Sequence, residues 1–242
     1  MDRHQLKLNA DLGEGAGNDS VLMPYLEMCN ISCGAHAGDL SEIENTMRLA
    51  QKHQIKIGAH PSYPDRENFG RQIMDISEAD LLSSLTEQLE TFKAIANKLN
   101  VTVHHIKAHG ALYHQVASNE TIKNIFLQAV DNSFDDINII IPSSYYAKMS
   151  NFGYHTLLYE AFADRQYLPN LQLLSRSQAE ALITNTEDLA NQLYKLLECG
   201  KVFTSDGSWQ DIYFDTICIH GDSPGIAERL PMIIAILENQ IF

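Results

Sequence analysis

The chain has little of what marks proteins of nucleic acids, membranes or nucleotides. Its 17 Lys and Arg stand against 31 Asp and Glu, a net charge of -14. Binding a nucleic-acid backbone needs clustered Lys and Arg, and no such cluster is evident. An acidic balance suits a soluble cytoplasmic protein. No apolar run approaches the roughly 20 residues of a membrane span. The opening stretch, MDRHQLKLNADLGEG, has no long apolar segment after its basic residue, so no signal peptide is expected. Cysteine is scarce: Cys29, Cys33, Cys199 and Cys218. The first two are four apart, which is neither the redox nor the zinc spacing. All four are expected as reduced thiols, the alternative being a nucleophilic Cys33 beside His36.

Signature motifs are also missing. Gly13, Gly15 and Gly17 spell G-x-G-x-G, which is not the dinucleotide fingerprint, and no G-x-x-x-x-G-K-[ST] phosphate loop occurs. No H-E-x-x-H or H-x-H pair occurs, so a divalent metal is possible but not demanded by spacing. There is no low-complexity segment, linker or fixed repeat. A chain of 242 residues that is 45% hydrophobic therefore reads as one domain, 1–242.

What recurs instead is a pattern. Short apolar runs end in Gly and polar residues, and amphipathic segments usually follow. The runs lie at 6–15, 28–39, 55–63, 101–113, 137–144, 155–165 and 216–222. Several are rich in Val and Ile, as buried parallel strands are. Between them, Ile43, Met47 and Ala50 mark one helix, with Ser41 and Glu44 as a capping box. Ser77 caps a longer helix with a stripe of Leu81, Leu85, Leu89, Phe92, Ala96 and Leu99. Ile122, Phe126 and Ala129 mark another, and Thr186 starts one carrying Leu189, Leu193 and Leu196. A last helix uses Ile226, Leu230, Ile233 and Leu237, with a kink or restart expected at Pro231. Strand alternating with helix implies an α/β fold with a parallel sheet. About seven strands fit a closed or nearly closed (β/α) barrel, with an open doubly wound sheet as the alternative. Either way, ligands bind at the carboxyl ends of the strands.

Polar residues gather at those ends: Asn9, Asp11 and Glu14; His36 and Asp39; His60, Tyr63 and Asp65; Lys107, His109 and Tyr113; Glu160, Asp164 and Arg165; His220 and Asp222. Polar residues are ordinary in loops, and Asp39 has a second reading as a helix N-cap. Six clusters at equivalent places, however, would converge in one pocket. His53, His104, His105 and His114 read as surface or supporting residues, and Arg176 is open. Carboxylates and neutral His take protons from water, while Lys or protonated His donate to a leaving group. Lys can also hold an oxyanion. Such a set points to hydrolysis, either unaided or through a divalent metal.

At these same places the sequence resembles a known family. NADLGEG, CNISCGAHAGD, IGAHPSYPD, IKAHGALYH, EAFADRQY, SRSQ, DGSW and CIHGDSPG follow, in order, the motifs of the LamB/YcsF family across roughly 6–225. Three departures stand out: Ala35 replaces an aromatic residue, Ala108 a proline and His114 an asparagine. Of these, Ala35 is expected to reshape the pocket. The resemblance implies a seven-stranded (β/α) barrel like that of polysaccharide deacetylases and glycoside hydrolases. It also implies ATP-dependent opening of 5-oxo-L-proline to L-glutamate with partner subunits B and C, ATP being used with or by those partners. On this reading Asp11, Lys107 and His109 are catalytic. Glu14, His36, Asp39, His60, Glu160, Arg165, His220 and Asp222 bind substrate. Two alternatives are a stand-alone metal-dependent deacetylase or amidase and a non-catalytic lactam-binding subunit.

Overall fold

The structure, a computed structural model, describes residues 6–146 and 152–241. Residues 1–5, which open the stretch read for a signal peptide, lie outside them. Seven parallel strands close on themselves: β1 (Leu8–Leu12), β2 (Met28–Ser32), β3 (Lys56–His60), β4 (Val103–Lys107), β5 (Asn138–Pro142), β6 (Thr156–Phe162) and β9 (Thr216–Cys218). Each falls in one of the seven apolar runs. The last strand pairs with both β6 and β1, which closes the barrel and excludes the open sheet. A separate antiparallel pair, β7 (Lys201–Phe203) and β8 (Trp209–Asp211), stands outside it. These two three-residue strands carry no run that the sequence pattern announces.

The helices are a short α1 (Asp19–Leu22), α2 (Leu40–Lys52), α3 (Glu78–Lys98), α4 (Gly110–Ser118), α5 (Glu120–Ser133), α6 (Thr186–Cys199) and α7 (Ile226–Ile241). The expected stripes are buried: Leu81, Leu85, Leu89, Phe92 and Ala96 on α3, and Leu189, Leu193 and Leu196 on α6. They pack with outward strand residues such as Leu8, Ala10, Ile31, Ala59 and Ile106 into one core. Ser77 caps α3 as expected, accepting from the Asp80 amide. The capping box of Ser41 and Glu44 is not formed. Asp39 is the N-cap of α2, its carboxylate accepting from the Glu42 amide at 2.9 Å. Both residue types cap well, so composition alone could not place the boundary. No restart occurs at Pro231: a single helix runs through it, its apolar stripe buried on both sides. That packing outweighs the local penalty of the missing amide.

Alternate residues of a strand face opposite sides, and much of the inward set of β1 to β4 is polar. Asn30 Nδ2 donates to Asn9 Oδ1 and to Asp11 Oδ1, both at 2.8 Å. Asn9 Nδ2 donates to Glu160 Oε1 and Thr216 Oγ1, both at 2.9 Å. His105 Nε2 donates to Asn30 Oδ1 at 2.7 Å. Gly58 pairs in register with Asn30 on one side and His105 on the other. A Cβ at Gly58 would stand 2.1 Å from His105 Nε2, so only glycine leaves room for that ring. The bore is thus a hydrogen-bonded lattice in which each of these buried polar groups has a partner. It leads upward to the strand ends.

Candidate active site

A cavity of about 580 Å³ opens at the carboxyl ends of the strands. Its floor carries Asp11 from β1, His60 from β3 and Lys107 from β4, with Glu14 and His109 just beyond their strands. His220 and Asp222 follow β9, and Arg165 follows β6. Eight of the eleven residues assigned a role from sequence therefore line one pocket; His36 and Glu160 support it from behind, and Asp39 stands apart as a helix cap.

Lys107 is the centre of the floor and 2% exposed. Its ammonium lies 2.9 Å from Asp11 Oδ1, 3.0 Å from Glu160 Oε1 and 3.3 Å from Cys218 Sγ. Burial alone would favour the neutral amine, but Asp11, Cys218 and Glu160 outweigh it and hold the ammonium well above the usual lysine range. For Asp11, burial pushes the carboxyl up, while His60 and Lys107 override this and hold it well below the usual range. Glu160 is committed inside the barrel, since Tyr113 donates to Oε2 at 2.8 Å while Asn9 and Lys107 share Oε1. It positions Lys107 and does not face the cavity.

Glu14 meets three imidazoles. Its Oε1 is 2.9 Å from His36 Nε2, 3.3 Å from His109 Nδ1 and 3.8 Å from His60 Nε2. Burial, with repulsion from Asp11 and Asp222, raises its pKa well above the ordinary value. Burial lowers His36 to about 2 and, helped by His36 and His60, keeps His109 well below the ordinary imidazole value. These four residues form a group whose ligand atoms can hold a metal ion, and Asp11, Cys218 and His220 form another. No local spacing announces the first group, because its members come from four separate strand ends.

Across the cavity His220 Nδ1 lies 2.8 Å from Asp164 Oδ1, and the His220 amide donates to Oδ2. Asp164 is buried, which raises its pKa, but bonds and charge from His220 lower it overall. A carboxylate that holds one ring nitrogen leaves the other for proton transfer. The sequence pattern places Asp164 at a strand end and assigns it no role. Arg165 spends its guanidinium on backbone, donating to the Leu174 carbonyl at 2.7 Å and the Ala181 carbonyl at 3.2 Å. It thereby fixes the segment that brings Ser175, Arg176 and Ser177 to the wall. Arg71, which no sequence pattern singles out, pairs with Asp222 at the rim. Of the three departures, Ala108 and His114 are among the residues that line the cavity and Ala35 is not. Desolvation by its neighbours, with the charges of Arg165, Arg176 and His220, pulls His114 down to about 4, although the residue is exposed. Cys33 is buried, and burial pushes its thiol up to about 12, which weighs against the nucleophile reading.

Fold and pocket together define a (β/α) barrel protein whose polar bore ends in an acid–base cavity at the carboxyl ends of its strands. The chain belongs to the LamB/YcsF family, whose model matches residues 6–241. A Vibrio vulnificus protein named as the A subunit of 5-oxoprolinase is 36% identical over 245 residues, covering 97% of this chain and 99% of that protein. A Neisseria meningitidis protein of the same name is 36% identical over 224 residues, covering 91% and 90%. The crystal structure of a lactam utilization protein from Thermus thermophilus superposes with a TM-score of 0.84 at 30% identity, over 96% of each chain.

Proposed function

We propose that this chain is the A subunit of a 5-oxoprolinase and carries the ring-opening half of an ATP-dependent hydrolysis of 5-oxo-L-proline to L-glutamate. The observation that carries the reading is the pairing, in one cavity, of the buried Lys107 ammonium beside Asp11 with the His220–Asp164 dyad. Full-length similarity to proteins of that name supplies the substrate.

A five-membered lactam is a stabilised amide and a poor electrophile. Transfer of the ATP γ-phosphoryl group to its carbonyl oxygen, carried out with or by partner subunits B and C, makes the ring carbon attackable. His220, oriented by Asp164, takes a proton from water as its oxygen bonds to that carbon. Because that oxygen is already phosphorylated, the C=N electron pair moves to the ring nitrogen, and Lys107 balances the negative charge held around the reacting carbon, in a site already shielded from water. Proton delivery to the ring nitrogen breaks the C–N bond and leaves an acyl phosphate. A second water releases phosphate and the new carboxylate. Arg176 and His114 on the wall meet the anionic ends of the ligand. His109, catalytic on the sequence reading, fits a positioning role better, because its Nε2 donates to the Phe69 carbonyl and its Nδ1 faces His60 and Glu14.

The test is ATP-dependent glutamate release from 5-oxoproline by the chain co-expressed with B and C. Wild-type complex should turn over, and Lys107→Met and Asp11→Asn complexes should not. Near-normal glutamate formation by both variants would falsify the assignment.

A further inference from the structure

Three imidazoles converge beside the cavity, and their outward bonds dictate what faces inward. His60 Nδ1 lies 2.7 Å from the Lys107 carbonyl oxygen. A carbonyl only accepts, so Nδ1 carries the hydrogen and Nε2 of the neutral ring is a bare lone pair. His109 Nε2 lies 2.9 Å from the Phe69 carbonyl, which leaves Nδ1 bare by the same logic. His36 Nδ1 lies 2.9 Å from Ser62 Oγ, and that hydroxyl gives its only hydrogen to the Tyr63 carbonyl at 2.9 Å. The hydroxyl therefore accepts from His36, and His36 Nε2 is bare as well.

One ligand atom from each of these rings and one from Glu14 lie within 4.8 Å of one another. The close pairs are His60 Nε2 to His109 Nδ1 at 2.9 Å and Glu14 Oε1 to His36 Nε2 at 2.9 Å. Lone pairs facing each other at that distance repel unless positive charge stands among them. Two protons satisfy this arrangement, and so does one divalent cation. We propose the cation: Glu14, His36, His60 and His109 form a site for a divalent first-row transition ion, zinc by its nitrogen-rich donor set.

Two features favour the ion. Each ring is fixed by an outer N–H to a protein acceptor, the arrangement that sets tautomer and direction in metal-binding histidines. The donor separations also fit. Four ligands at zinc bond lengths of about 2.0–2.1 Å stand roughly 3.4 Å apart, and the contacts to Glu14 and between His60 and His109 run from 2.9 to 3.8 Å. The His36 and His109 rings lie parallel with centroids 3.8 Å apart, so an ion held by both tilts one of them. His36, tethered by a hydroxyl, is the ring that gives, and it is the weakest donor of the four. The proposal concerns binding and stands independently of lactam hydrolysis.

The experiment uses the purified full-length chain, stripped with chelator and titrated with Zn²⁺ by calorimetry, then with Co²⁺ by visible absorption. Wild type should take up one ion per chain, show the intense bands of tetrahedral Co²⁺, release protons on binding and melt at a higher temperature with zinc. His109→Ala and the shape-preserving Glu14→Gln should lower affinity by about 100-fold, and His36→Ala by about 10-fold. His155→Asn, at a buried histidine bonded to Asp131 elsewhere, should bind as wild type does. Circular dichroism confirms that each variant is folded. A stripped wild-type chain that takes up no zinc overturns the proposal, as do folded Glu14→Gln and His109→Ala chains with undiminished affinity.

Discussion

His220 Nδ1 and Asp164 Oδ1 lie 2.8 Å apart, and the same carboxylate accepts the His220 amide hydrogen. Asp164 therefore sets both the tautomer and the direction of the ring. Asp164→Asn should lower kcat of the reconstituted complex by about 10²–10⁴-fold, with KM changed little, the range seen when a base or its orienting partner is removed. Steady-state glutamate formation checks this. Unchanged kcat would move proton transfer to another group.

Lys107 is held by two carboxylates on a floor that water barely reaches. Asp11→Asn removes one of them and should destabilise the fold by about 3–5 kcal/mol, the cost of breaking a buried ion pair. Lys107→Met should be as costly, because it leaves Asp11 and Glu160 charged with no ammonium between them. Urea unfolding of the isolated chain reads both. A loss below about 1 kcal/mol, the scale of exposed pairs, would mean that the floor is hydrated.

Gly58 and His105 occupy adjacent strands with no room for a methyl group between them. Gly58→Ala should cost about 1–3 kcal/mol, as overpacking in a tight core does. Adding His105→Ala vacates the clash, so the double variant should be more stable than the sum of the two single losses predicts. Strict additivity in a double-mutant cycle would rule out the contact.

Stability should fall on acidification in two stages. Burial, with the charges of His104 and Lys107 next, keeps His105 well below the ordinary imidazole value. It is thus neutral in the folded chain, while the unfolded chain binds a proton below about pH 6.5. Its contribution is fully present above about 6.5 and is lost, by at most about 1.4 kcal/mol per pH unit, as pH falls below it. Asp11 and Asp164 have lowered folded values. Their contributions are present above about pH 4 and disappear only as pH drops through those folded values. Melting temperatures from pH 7.5 to 3 follow both stages, and His105→Gln should make the first shallower by the share of one histidine, His36, His109 and His114 supplying the rest. A first stage as steep in His105→Gln as in wild type would assign that loss to other groups.

Periodicity made the barrel legible because each strand lies within a single short run, and because stripes such as Leu81, Leu85 and Leu89 repeat at the helical spacing. The strand-end rule then brought Asp11, Lys107, His109 and His220 to one place. The pairing inside that place was hidden. His36, His60 and His109 sit on different strand ends, so nothing local shows that their free nitrogens meet Glu14. Glu160 and Asp39 look as available in sequence as Asp11 does. Only packing shows one spent on Lys107 and Tyr113 and the other on a helix amide. Asp164 is visible as a residue but not as a partner, since its role depends on a strand more than fifty positions away.

The closure of β1 against β9 has a consequence for assembly. A sealed ring of strands offers no free row of amides and carbonyls to a neighbour. A partner subunit therefore cannot extend the main sheet by adding a strand. Among the described residues, unpaired sheet edges remain to the small β7–β8 ribbon, which is separate from the ring. Away from that ribbon, a larger complex rests on side chains of helices and connecting loops, and the loops that rim the cavity are among them.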